Sequence, residues 1–122
     1  MKTKTIEIPL WERDLIVMLG GNHTDIYNIA KQHKLSDKVF AEIKYDKLST
    51  DRSSGGAYFC LEKGIGIFWV PTKRVTAGLL AHEATHIVDW VLEFIGAEKE
   101  MEARAYTVEW IVTNIPLILK KM

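Results

Sequence analysis

The sequence predicts a single α+β domain, and three observations lead there. Short apolar or alternating segments with strand character fall at 5–8, 15–19, 57–61 and 65–70. From about residue 75 the hydrophobic period changes to that of a helix. Gly96 then separates two long helical stretches. Strands and helices first, then a hairpin, then two long helices is an α+β order. A chain of 122 residues is expected to form one domain over 1–122.

Each element has its own signal. Thr5-Ile6-Glu7-Ile8 alternates, and Pro9 puts the end of that strand at a sheet edge or bend. Leu15 to Leu19 is a short apolar run closed by Gly20-Gly21, which reads as a buried strand and a turn. Thr24 or Asp25 is expected to cap a helix reaching about Lys34, with Ile26, Ile29 and Ala30 on one face. Ser36 or Asp37 caps a second short helix containing Val39, Phe40 and Ile43. STDRSSGG, 49–56, is a loop by composition. The strands 57–61 and 65–70 flank Glu62-Lys63-Gly64, predicting a hairpin that Pro71 closes. Leu80, Ala84, Ile87, Val88, Val91, Leu92 and Ile95 recur at helical spacing over 75–95, with Gly96 as the terminating residue. A last helix is expected over 97–115, with Met101, Ala105, Val108, Ile111, Val112 and Ile115 as its core stripe and Pro116 kinking or ending it. Trp11, Trp69, Trp90 and Trp110 read as core anchors.

Composition narrows the function. Hydrophobic residues are 48% and charged residues 26%, ordinary for a globular chain. Lysine plus arginine equals aspartate plus glutamate, 16 each. That balance argues against nucleic acid and against a strongly basic partner. The single Cys60 makes an intrachain disulfide impossible and reads as a small sheet residue. MKTKTIEIPLWERD lacks the apolar run of a signal peptide, and no eighteen-residue apolar span follows. The expectation is a soluble, cytoplasmic protein without a membrane partner.

The chemistry-bearing stretch is AHEATHIVDW, 81–90, with His82, Glu83 and His86 in the order H-E-x-x-H. Residues four apart share a helix face, so both imidazoles can point at one zinc ion. Glu83, one position round, can reach a water on that metal and act as general base. The motif falls inside a predicted helix, the context this chemistry requires. A third ligand is still needed. No histidine follows His86, and the acidic start of the last helix, 98–109, is the better source. Glu102 runs back to the level of the histidines, with Glu109 as second choice; Glu98 and Glu100 read as dipole partners or solvated surface. Asp89 shares the histidine face and either orients a ligand histidine or is a surface aspartate. Tyr106, one turn from Glu102, either donates to a developing oxyanion or packs on the core.

GLLAHEATHIVDW followed by EMEARAYTVEWI resembles the gluzincin arrangement, H-E-x-x-H on one helix and glutamate on the next. The combination is similar to small metallopeptidases of bacteriophages and prophages. More distantly, Glu102-Ala103-Arg104-Ala105 resembles the repressor-cleaving metallopeptidases of mobile elements. The likeness covers mainly 55–115. It implies a minimal zincin-like domain: a small mixed sheet whose hairpin packs on the motif helix, followed by an antiparallel long helix. It implies one zinc held by His82, His86 and Glu102, with Glu83 as base. It also implies a peptide or protein substrate bound by strand addition along an edge strand within 57–70. Thermolysin-like members carry an aspartate where this chain has Tyr106, so support of the ligand must differ. The alternative is a catalytically silent zincin scaffold acting as a binding or regulatory protein of a phage or mobile element. A helical interaction module without metal is a third, weaker reading.

Overall fold

The computed structural model describes residues 1–9, 12–48, 55–97 and 99–122. Trp11, Glu98 and most of the loop read at 49–56 lie outside the described residues. The order is β1 (Lys2–Ile8), β2 (Arg13–Leu19), α1 (His23–Gln32), α2 (Asp37–Leu48), β3 (Gly56–Cys60), β4 (Ile65–Val70), α3 (Ala77–Ile95) and α4 (Met101–Lys121). The fold is mixed α+β, with a four-stranded mixed sheet in the order β1-β2-β4-β3. β1 and β3 are its edges.

β2 and β4 run parallel, with Leu15 opposite Gly66 and Leu19 opposite Val70. A parallel pair needs a crossover, and here the connection from β2 to β4 contains α1, α2 and β3. Helices cover both faces of the sheet, which explains why β2 and β4 are continuous apolar runs rather than alternating ones. Leu15, Val17, Phe68 and Val70 pack with Leu80, Ile87, Val91 and Ile111 on the α3/α4 face. Ile16, Met18, Ile67 and Trp69 pack with Ile26, Val39 and Ile43 on the α1/α2 face. Cys60 is buried on that second face, as a small sheet residue.

Several boundaries differ from the sequence reading. β1 begins at Lys2, not Thr5, because its whole length pairs with β2, Lys2 opposite Leu19; a backbone ladder needs no apolar side chains. α1 is capped by Asn22, whose side chain accepts from the Asp25 N–H at 3.1 Å while the Asn22 N–H donates to Asp25 at 2.9 Å. This reciprocal box outcompetes a cap at Thr24 or Asp25. α3 starts after Thr76, whose hydroxyl accepts from the Leu79 N–H at 3.1 Å. Gly96, at φ 73°, ends it in the left-handed conformation that glycine tolerates. Of the tryptophans, Trp69 and Trp90 are buried and Trp110 is half-buried.

α4 departs most. It starts at Met101 rather than 97 and runs through Pro116 to Lys121. Its buried line is Thr107, Ile111, Ile115 and Leu119. Met101 is 81% exposed, and Ala105 and Val112 face solvent. Apolar residues surround the middle of this helix, so period alone does not choose the inner face; antiparallel docking on α3 does. That docking shows in Lys73, before α3, donating to the Lys120 carbonyl at 3.3 Å. Proline inside a helix costs about 3 kcal/mol. Burying Ile115 and Leu119 around it, at about 1.5–3 kcal/mol each, is enough to carry the helix through.

Two substitutions test this architecture. A Cβ on Gly66 would lie 3.0 Å from Phe59, 3.1 Å from Trp90 and 3.2 Å from Leu15. Gly66→Ala is expected to cost about 1–3 kcal/mol in urea unfolding, and an unchanged midpoint would refute the close approach of α3. Pro116→Ala restores a backbone donor at an exposed position and is expected to gain about 1–3 kcal/mol in the same measurement.

Candidate metal centre and adjoining cleft

α3 has three kinds of position. Leu80, Ala84, Ile87, Val88 and Val91 face the sheet and α4. His82, His86, Asp89 and Glu93 form an exposed line, spaced 4, 3 and 4 residues apart, which is one helix face. Glu83 lies one position round from His82 and is only 4% exposed. The helix therefore holds the carboxylate under the surface while presenting the imidazoles above it.

The His82 and His86 ring centroids are 4.9 Å apart, edge to face. The His82 side chain is 65% exposed, and its Nε2 lies 3.9 Å from Glu83 Oε1. Two adjacent imidazoles and a neighbouring carboxylate suit zinc chemistry in donor type. The third donor is a different matter. Among the described residues no three His, Cys, Asp or Glu side chains form a group that could hold a metal. Glu102 and Glu109 are exposed. Glu102 is nine positions from the buried Ile111, which is about 180° round a helix. Glu102 is thus on the α4 face turned away from α3. Glu100 is exposed at the start of α4, without a side-chain cap bond.

Asp89 lies on the histidine face and is engaged by Arg104 of α4 in an ion pair. The sequence reading missed Arg104, and its signal was only the general one of opposite charges on neighbouring helices. Tyr106 is 48% exposed rather than packed in the core.

Beyond His86 the surface opens into a cleft of about 210 Å³. α3 contributes His86, Asp89, Trp90 and Glu93 to its wall. β3 and the following turn contribute Phe59, Leu61 and Glu62, and α2 contributes Lys38 and Glu42. Phe59 stacks on Trp90 with centroids 5.0 Å apart and planes at 19°. β3 pairs with β4 alone among the described strands, so its outer edge lies open beside the cleft. Burial holds the Glu42 carboxyl above its usual range, against the attraction of Lys38. The Glu62 carboxylate is held below the usual range by its own backbone N–H and by the Cys60 thiol, which donates to it at 3.4 Å. The α3 part of this wall was legible as one helix face, but nothing local in the sequence brings α2 to it.

No protein-family model, curated protein or solved structure matches the chain.

The Asp89–Arg104 pair is partly exposed, 54% and 37%. A double-mutant cycle with Asp89→Ala and Arg104→Ala is expected to give about 0.2–1 kcal/mol of coupling. Zero coupling would mean that α4 does not hold Asp89 in solution.

Proposed function

We propose that the chain is a zinc-dependent peptidase of gluzincin type on a minimal zincin-like scaffold. The observation that carries this is the pairing of two exposed imidazoles, 4.9 Å apart, with a buried glutamate next to them on one helix. The open edge of β3 beside that helix adds support. The likeness of the two helices to phage and prophage metallopeptidases supports a cytoplasmic role in a phage or mobile element. No described helix is long and apolar enough to cross a membrane.

His82 and His86 would hold the metal through ring nitrogens. Bound zinc supplies Lewis acidity, lowering the pKa of water and polarising a carbonyl. Glu83 takes the proton from the attacking water and delivers it to the leaving amine. The edge of β3 aligns an extended peptide by backbone hydrogen bonds. The third ligand in this scheme is Glu102, which requires the first turn of α4 to roll toward α3. Asp89 pairs with Arg104 through Oδ1, which leaves Oδ2 to support a ligand histidine, and Tyr106 is the available donor for oxyanion charge.

The outward position of Glu102 favours a second reading: a silent zincin scaffold that binds or regulates a partner. Metal content and turnover decide between the two. Untagged protein is expected to carry one zinc per chain by mass spectrometry, lost in His82→Ala and in His86→Ala. Glu83→Gln is expected to keep zinc and lose about 10²–10⁴-fold in peptide hydrolysis. Zinc binding with no turnover on a peptide library selects the scaffold. Protein that binds no zinc defeats the peptidase reading.

A further inference from the structure

We propose that the cleft beside His86 is a side-chain subsite for an arginine or lysine of an extended peptide. The inference rests on the peptidase reading for its role, but its evidence is separate.

Charge is the first part. Glu42, Glu62, Asp89 and Glu93 line the cleft against the single cation Lys38. These carboxylates come from α2, the β3–β4 turn and α3, so the sign is shared by three elements rather than by one solvated helix face. Asp89 already has Arg104, which leaves Glu42, Glu62 and Glu93 to meet an incoming cation. Partial burial, with Asp46 adding to it, pushes the Glu42 carboxyl up against the pull of Lys38, and an incoming guanidinium or ammonium would favour its charged form.

The walls are the second part. Phe59 and Trp90 stack beside the carboxylates. An arginine stem and its planar head suit an aromatic wall with acidic groups around it, better than a neutral polar side chain does. Trp90 is 3% exposed, so the half-buried Phe59 offers the accessible part of that wall.

Chain direction is the third part. Phe59 belongs to the open-edged β3. A peptide added to that edge projects alternate side chains to opposite faces of the sheet. One set falls toward the α3 side, where Phe59, His86 and Glu93 lie.

The test uses the full chain carrying Glu83→Gln with one equivalent of zinc, and fluorescein-labelled octapeptides read by anisotropy. The peptides carry a central Arg, Lys, Gln or Glu. A fifth moves the Arg to the end at equal net charge. Central Arg and Lys are expected to bind about tenfold tighter than Gln or the displaced Arg. Glu42→Gln with Glu93→Gln is expected to erase that ratio, and Glu93→Asp to retain most of it. Equal binding of all five peptides, binding of none, or a ratio that survives loss of both carboxylates overturns the subsite. Wild-type hydrolysis without a basic preference ends this inference and leaves the peptidase reading standing. A basic preference without wild-type hydrolysis does the reverse.

Discussion

The parallel pairing of β2 with β4 is the constraint on which the rest of the molecule depends. It puts β4 between β2 and β3 and buries it on both faces. A strand so placed must be apolar throughout, and Ile67, Phe68, Trp69 and Val70 are. The parallel step also sends α1, α2 and β3 into the crossover connection. β3 therefore returns as an outer strand, with α2 on one face and α3 on the other. The open edge, the α2 carboxylate of Glu42 and the exposed line of α3 come together because of that one connection.

Gly66 sets how closely α3 approaches. With no side chain there, Trp90 sits against the sheet and stacks on Phe59. The stack closes the inner wall of the cleft, and the same docking fixes the rotation of α3. Rotation is what separates Glu83, held under the surface, from His82 and His86 above it. A turn of one position would bury both imidazoles in one sense, or bring the Glu83 carboxylate to the surface in the other. The chemistry available at this surface is thus a consequence of packing on the opposite side of the helix.

α4 shows how a second helix can serve stability and site differently. Its Ile111 and Ile115 join the core of α3 and the sheet, while Arg104 reaches Asp89. Both hold α4 in a rotation that turns Glu102 to solvent. Proline at 116 does not interrupt this, since the buried residues on either side outweigh one missing hydrogen bond. A third metal ligand from α4 would need these interactions to give way at its first turn. The apolar face of the last turns would remain the anchor.

Much of the plan was legible locally. The α+β class, the 65–70 strand, its hairpin partner, the α3 span and its Gly96 terminus follow from period and from glycine and proline placement, which are short-range properties. So does the shared face of His82, His86 and Asp89, because residues on one helix have a fixed geometry. Boundaries set by other strands or caps were not legible: Lys2 joins a ladder, and Asn22 wins the cap through Asp25. Nor was the inner face of α4: positions 101, 105, 108, 111, 112 and 115 share one face, yet the buried line Thr107, Ile111, Ile115 and Leu119 lies about 45° round from its centre. The sequence by itself determined which side chains lie together along each helix and strand. Only tertiary packing decided which faces meet, and so where Glu102 points, what Asp89 binds and that α2 walls the cleft. Local geometry is set by backbone period, whereas the rotation of one element against another is set by the area each can bury.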